Sequence, residues 1–529
     1  MNSSDAWWKS SIIYQIYPRS FQDSNNDGVG DIQGIIRRLD YLHSLHISAI
    51  WISPIYPSPM ADFGYDVSDY CAIHPLFGTL DDFKELVEKS HALNIKIILD
   101  LVPNHSSNEH PWFLESKSSK DNPKRDWYIW RDPKLDGSVP NNWLSYFGGP
   151  AWTFDEKTGQ YYLHQFTKEQ PELNYRNPEV LGAILDVMRF WLDLDIDGFR
   201  VDVIWLMMKD SEFKDEPLNP NWDGKVPHGK LLHPYTANLP EVHDLIRKMR
   251  EVIDRYPDKV MIGELYLDPE TTVEYYGKNG DECNIPLNHN VFPILDDFKP
   301  KTMKDFIIKY SNLVPEFGFP NYTLGNHDQK RVKSRVSELD QLIISLLFTL
   351  QGTIITYYGE EIGMTNGHIP PDKIVDPQGI DNGDLSAEIG RDPYRTPMQW
   401  DDSPNAGFSK EGVETWLPVA DTYTEVNVQK ESQDPDSMLN YYRRLAEFRM
   451  EHEEMRFAPV DFLDSPDEIL IFTRGDQYLV ISNFSKSDYS YSLESDYSIV
   501  FTRASTDAKV ENKKVTLKSL KSVVLKKKN

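Results

Sequence analysis

Residues 94–102 read NIKIILDLV, and this stretch decides the fold class. It is a near-continuous apolar run that stops at Pro103-Asn104-His105. Strands buried on both faces read this way, and they belong to parallel sheets covered by helices. Upstream, residues 11–17 (SIIYQIY) and 47–52 read as strands too. Between them, residues 31–45 place Ile32, Ile35, Leu39 and Leu42 on one helical face. Thr79-Leu80-Asp81-Asp82 resembles a capping box that opens a helix carrying Phe83, Leu86 and Val87. Downstream, residues 196–204, 259–266, 321–324 and 352–358 are further strand candidates, with helical patterns over 179–194 and 241–256. Such alternation predicts an α/β fold, either a parallel barrel or a doubly wound sheet.

Three segments interrupt the alternation. Residues 104–175 are rich in Trp, Pro, Asn and Gly and read as a domain inserted after the third strand. Tyr128, Trp130, Trp143 and Trp152 in it suit a small core. Residues 210–240 and 367–400 are long, aperiodic loops, a length usually reserved for functional segments. From residue 458 the pattern changes to short β-like runs. The domains are therefore drawn as barrel over 1–103 and 176–457, insertion over 104–175, and a β domain over 458–529.

Composition narrows the function. The chain has 529 residues, 40% of them hydrophobic, which is ample for a large core and incompatible with global disorder. Its net charge of −27 opposes binding to phosphate backbones, so no nucleic-acid partner is expected. Two cysteines, Cys71 and Cys283, make no disulfide framework and suit a cytoplasmic chain. Residues 1–8 lack the pattern of a signal peptide, and no apolar run reaches the length of a membrane span.

Polar residues stand where buried strands end: Asn104 and His105, Arg200 and Asp202, Glu264, His327 and Asp328. In an α/β barrel the carboxyl ends of the strands form the active-site face. Charged groups from four strands converging on one rim point to catalysis.

In these motifs the chain resembles the α-amylase superfamily of glycoside hydrolases, within it the α-glucosidase and oligo-1,6-glucosidase branch. The matching stretches are Asp100-Leu-Val-Pro-Asn-His105, Gly198-Phe-Arg-Val-Asp202, Gly263-Glu264 and Asn326-His-Asp328, in the family's order. Gln170-Pro-Glu-Leu-Asn174, Tyr357-Tyr-Gly-Glu-Glu361, Arg395-Thr-Pro-Met-Gln-Trp400 and Asp62-Phe-Gly-Tyr-Asp66 add to them. The resemblance implies a (β/α)₈ TIM barrel with an inserted domain after strand 3 and a C-terminal antiparallel β-sandwich. It implies a retaining, exo-acting α-glucosidase that releases terminal α-glucose from short oligosaccharides, with transglucosylation open to it.

The resemblance also assigns roles. Asp202 would be the nucleophile, Glu264 the acid/base and Asp328 a third carboxylate. Arg200 is expected to keep Asp202 ionised, and Glu264 to be raised so that it starts protonated. His105 and His327 would donate to glucose hydroxyls, with Asp62 and Arg391 at its non-reducing end. Tyr65 and Phe166 would wall the first ring, and Arg331 is placed with the substrate-binding set. Val203, next to Asp202, resembles the α-1,6-cleaving members. Gly325 before Asn326, and Trp205, depart from that pattern.

Asp23-Ser-Asn25-Asn-Asp27-Gly-Val-Gly-Asp31 sets oxygen donors at alternate positions, like the first part of an EF-hand loop. The family implies a structural Ca2+ or Mg2+ on Asp23, Asn25, Asp27, the Val29 carbonyl and Asp31. Sucrose isomerase, trehalose-6-phosphate hydrolase and trehalose synthase are the enzymatic alternatives; the RLDRD stretch of sucrose isomerases does not follow Asp328. Transporter heavy chains share the fold but carry a membrane helix. The expected partner is a small oligosaccharide, and the chain a monomer or homodimer.

Overall fold

The computed structural model describes residues 6–383 and 386–528. Residues 1–5, part of the N-terminus read above as lacking a signal peptide, lie outside the described residues. Strands β1 (Ile12–Ile16), β2 (Ala49–Ile52) and β3 (Lys96–Leu101) open a sheet. The inserted segment contributes β4 (Trp130–Arg131), β5 (Trp152–Asp155) and β6 (Gln160–Leu163). The first sheet then resumes with β7 (Gly198–Val201), β8 (Val260–Gly263), β9 (Ile285–Pro286), β10 (Asn321–Thr323) and β11 (Thr353–Tyr357). Its order is β10-β11-β1-β2-β3-β7-β8-β9, every pairing parallel. That is an eight-stranded α/β barrel.

The seam between β9 and β10 is closed by a side chain. The Asn321 amide nitrogen donates to the Pro286 carbonyl at 2.7 Å, and its oxygen accepts from the Asn288 N–H at 2.9 Å. β9 escapes a pattern search because it has two residues, and its Pro286 has no N–H to offer a ladder.

Alternation along the strands explains the apolar runs. Ile13, Trp51, Ile98, Ile262, Ile285 and Ile355 form one cluster within the barrel. Their neighbours Ile12, Ile50, Ile97 and Leu99 pack into the larger core shared with the helices. Neither face is wet, so neither parity is polar.

Local signals hold with one break. Thr79 and Asp82 form the reciprocal capping box at the start of Leu80–Ala92. The helical pattern over 31–45 divides into Ile32–Arg37 and Leu39–His43. Gly34 is required in the first piece, because a Cβ there would lie 1.9 Å from the Gln22 carbonyl oxygen.

In the insertion, β4-β6-β5 form an antiparallel sheet. Trp143 and Trp152 stack at 6.0 Å over Ile129 and Leu163, so these aromatics are core. The C-terminal strands are β12 (Val460–Phe462), β13 (Ile469–Arg474), β14 (Tyr478–Asn483), β15 (Tyr489–Ser492), β16 (Tyr497–Thr502), β17 (Ala508–Glu511), β18 (Lys514–Leu517) and β19 (Lys521–Lys527). They form antiparallel sheets β12-β13-β14-β19-β16 and β15-β18-β17 around Ile471, Ile481, Val515 and Val523.

Arg474 of β13, fully buried, fastens these sheets to the barrel, and Arg449 ties together the barrel segments beneath it. Arg449 donates to the carbonyls of Phe348, Leu350 and Met455, and Arg474 to those of Glu454, Met455 and Ala458. Several of these carbonyls end helices and lack helical partners, so the guanidinium groups satisfy them. Among the described residues no helix is long and apolar enough to cross a membrane. Both cysteines are free.

Candidate active site

Gly198 starts β7 against β8; a Cβ there would lie 2.1 Å from the Val260 carbonyl oxygen. Two residues on, Arg200 is wholly buried and gathers three carboxylates. Its Nη1 donates to Asp100 Oδ1 and Asp202 Oδ1, each at 2.7 Å. Its Nη2 makes an ion-pair contact with Glu264 Oε1 at 2.5 Å. Tyr65 and Trp51 donate to the second oxygen of Asp100, at 2.9 and 3.2 Å. Asp100 thus anchors Arg200 from β3, while Asp202 and Glu264 face the cavity.

Burial sets the titration here. It pushes the Glu264 carboxyl up to about 6; Arg200 opposes it and Asp328 reinforces it. Burial also raises Asp202, and the charge of Glu264 adds to that rise. Arg200 acts on Asp202 in the expected direction, favouring the ionised carboxyl, against burial and the charge of Glu264. The charge on either carboxyl therefore opposes ionisation of the other.

Asp328 is held differently. Arg395 Nη2 donates to its Oδ1 at 2.7 Å and Arg391 Nη1 at 3.2 Å. Burial pushes this carboxyl up, and the neighbouring His327, Arg391 and Arg395 more than reverse it, so Asp328 stays ionised far below the usual range. His327 lies between two rings, stacked on Tyr65 at 5.3 Å and on Tyr17 at 5.4 Å. Burial drives it well below its ordinary value, so it is neutral. The Gln15 amide nitrogen faces its Nδ1 at 2.8 Å, which leaves Nε2 as the protonated nitrogen, 3.3 Å from Asp328 Oδ2.

The far wall is an ionic lock. Arg391 Nη2 donates to Asp62 Oδ1 at 2.7 Å and to Asp376 Oδ1 at 2.6 Å. Gln170 Nε2 approaches Asp62 Oδ2 at 3.3 Å and His105 Nε2 at 3.1 Å. Burial pushes His105 down to about 3, so it too is neutral.

These groups enclose one cavity of about 390 Å³. Of the residues read from the sequence, Asp62, Tyr65, His105, Phe166, Asp202, Val203, Glu264, His327, Asp328 and Arg391 line it. Arg200 stands directly behind. Arg331 does not line it: the side chain is 1% exposed, donates to the Tyr358 carbonyl at 2.7 Å and packs on the Tyr357 and Tyr358 rings. Its place in the substrate-binding set is corrected, since the turn after Asp328 carries it into the core.

Sequence reading missed the outer half of the cavity. Tyr146 of the insertion stacks on Phe166 at 5.3 Å and on His228 at 3.8 Å; His228 in turn stacks on His233 at 3.9 Å. Phe147, Trp205, Leu206, Val226, Tyr266, Gln329 and Gln378 complete the lining. His228 lies in the long loop 210–240, whose lack of periodicity gave no residue-level signal.

Val203 has an unusual backbone. Its φ of 36° and ψ of 45° are left-handed, and it is the only β-branched residue at positive φ among the described residues. Such a conformation costs roughly 1–3 kcal/mol. Its N–H donates to Glu264 Oε2 at 2.8 Å.

The loop 23–31 is held by its own side chains. Asp23 accepts from the N–H groups of Asn25, Asn26 and Gly28, Asp27 from that of Val29, and Asp31 from those of Ser24 and Gly34. Among the described residues no three His, Cys, Asp or Glu side chains converge as a metal cluster. The donor set is all oxygen, which suits calcium or magnesium; each carboxylate oxygen of Asp27 and Asp31 accepts one donor and retains a lone pair, whereas each Asp23 oxygen already accepts two.

Comparison with known proteins agrees with this geometry. Residues 15–458 match the alpha-amylase catalytic-domain family. The chain is 40% identical over 518 residues to an oligo-1,6-glucosidase of Parageobacillus thermoglucosidasius, covering 91% of each. The crystal structure of the alpha-glucosyl transfer enzyme XgtA superposes with a TM-score of 0.93 at 36% identity, covering 99% of this chain and 100% of that one. The trehalose-6-phosphate hydrolase of Bacillus licheniformis superposes with a TM-score of 0.86 at 33% identity, over 99% and 100%.

Proposed function

Because the chain belongs to the alpha-amylase family of glycoside hydrolases, we propose that it is a retaining, exo-acting α-glucosidase of short oligosaccharides. The observation that carries this is Arg200, which gathers Asp202 and Glu264 onto one cavity shared with Asp328. Two carboxylates on one guanidinium suit the short separation of retaining enzymes, about 5–5.5 Å.

The steps follow from which oxygens are free. Asp202 Oδ1 is engaged by Arg200, so Oδ2 attacks the anomeric carbon. Glu264, protonated at the start, protonates the departing oxygen, and the glucosyl ester forms on Asp202. Water then enters; Glu264 takes its proton, and the ester opens with net retention. A sugar hydroxyl in place of water gives transglucosylation. Ionised Asp328 and neutral His105 and His327 bind glucose hydroxyls. The Asp62–Arg391 lock blocks the far end, which favours a terminal residue over mid-chain attack.

The lining disfavours a phosphorylated substrate. Its one cation among the described residues is Arg391, already committed to Asp62, Asp328 and Asp376. Two free cysteines support an intracellular setting. Asp23, Asn25, Asp27, the Val29 carbonyl and Asp31 would hold calcium or magnesium as a structural ion, outside the reaction.

The test is NMR of the first product from maltose and isomaltose. Initial α-glucose is expected; initial β-glucose would overturn retention.

A further inference from the structure

We propose that the backbone amide of Val203 is a positioning group for Glu264, and that the left-handed turn at Val203 persists because it aims this N–H at the acid/base. The inference rests on the reading of Glu264 as the acid/base.

A valine in this conformation is an outlier, since its branched Cβ crowds the backbone. Glycine would adopt the turn without strain. Strain of this kind survives only where the surroundings over-determine it. Here the Asp202 N–H is tied to the Leu101 carbonyl at 2.8 Å, and the Val203 carbonyl accepts from Leu206 at 2.8 Å. Between these ties the Val203 N–H has one partner, Glu264 Oε2.

The residue therefore does two things at once. Its side chain lines the cavity beside the nucleophile. Its amide grips the oxygen of Glu264 that Arg200 does not touch, so both oxygens are fixed from opposite sides. An N–H donor favours the ionised carboxyl. It thus counters burial and the charges facing Glu264, which are Asp100 from β3, Asp202 from β7 and Asp328 from the turn after β10, with Tyr266 alongside. The balance lets one carboxyl give up a proton in the first half of the cycle and take one in the second.

Two measurements test this. In 15N-valine protein, with the Val203 resonance identified by its loss in Val203→Ala, that amide should titrate with the upper limb of the kcat/KM profile. A Val203 resonance flat across that limb overturns the proposal. Separately, 2-hydroxyisovaleric acid placed at 203 by nonsense suppression replaces N–H by an ester oxygen and keeps the side chain. The upper limb should then move alkaline by about one pH unit. Val203→Gly, which keeps the N–H, should alter the maltose to isomaltose ratio and leave that limb in place. An unmoved limb in the ester, or an equal move in the glycine variant, overturns the proposal. A wild-type chain that does not turn over p-nitrophenyl α-glucoside would instead sink the α-glucosidase reading itself.

Discussion

Arg391 donates to Asp62 at 2.7 Å, joining side chains 329 residues apart in the chain. The pair closes the inner end of the cavity and presents charge to whatever ring enters it. Asp62→Asn keeps the shape and removes the charge. It should lower kcat/KM on maltose roughly tenfold to a hundredfold, the worth of one or two charged hydrogen bonds. Folding should be little affected, since Asp376 and Asp328 still neutralise Arg391. A melting temperature that collapses alongside activity would make the pair a structural clamp.

Asp202→Asn removes the attacking oxygen's charge while keeping its size. Turnover should fall by roughly 10⁴-fold or more, as for other covalent nucleophiles. Azide supplied as an external nucleophile should restore cleavage of an activated glucoside and yield β-glucosyl azide. Rescue giving the α-azide would remove Asp202 from the glucosyl ester.

As the proposed acid/base, Glu264 would begin each cycle protonated, and burial pushes its carboxyl up to about 6. Activity is therefore present below that value and lost as pH rises through it. The upper limb of kcat/KM on p-nitrophenyl α-glucoside should fall near pH 6. Glu264→Gln should flatten that limb at a much reduced rate. A limb that persists unchanged in this variant would assign the titration elsewhere.

Glu360 offers a stability counterpart. Burial pushes its carboxyl up to about 8, and its Oε1 has no hydrogen-bond partner. Raised above its unfolded value, it contributes stability that is complete below about pH 4.3 and lost as pH rises through about 8. Glu360→Gln should thus stabilise the chain at pH 8.5 by roughly 2 kcal/mol and do nothing comparable at pH 5.5. Equal effects at both pH values in thermal melts would exclude the charge as the cause.

A cation at residues 23–31 would act on stability and not on chemistry. Chelation should lower the melting temperature and calcium should restore it, with kcat per folded molecule unchanged. Calcium that leaves both the melt and a direct metal analysis unaltered would show the loop to be a self-sufficient turn.

Much of this was written along the chain. The run at 94–102 and its repeats announced a parallel α/β fold, because strands buried on both faces must be apolar at both parities. Asp202, Glu264 and Asp328 stood out because charge at the end of such a strand has no structural excuse. Val203's left-handed backbone had no such signal, since valine favours extended conformations and nothing local demands the turn. Arg331 misled for a related reason: three residues from Asp328, it looked like part of the rim, yet the chain turns it into the core against Tyr357 and Tyr358.

The order of residues alone determined a parallel α/β fold, the insertion, the C-terminal β segment and the carboxylates at the strand ends, with the family motifs choosing the barrel, since periodicity and motif are properties of short stretches. Only the tertiary structure decided which carboxyls meet on Arg200, which arginine lines the cavity and which loop completes the outer wall. Those outcomes depend on burial and on distances of a few ångströms between residues far apart in the chain. Electrostatic energy in a dry interior is set by such separations, and no local pattern encodes them.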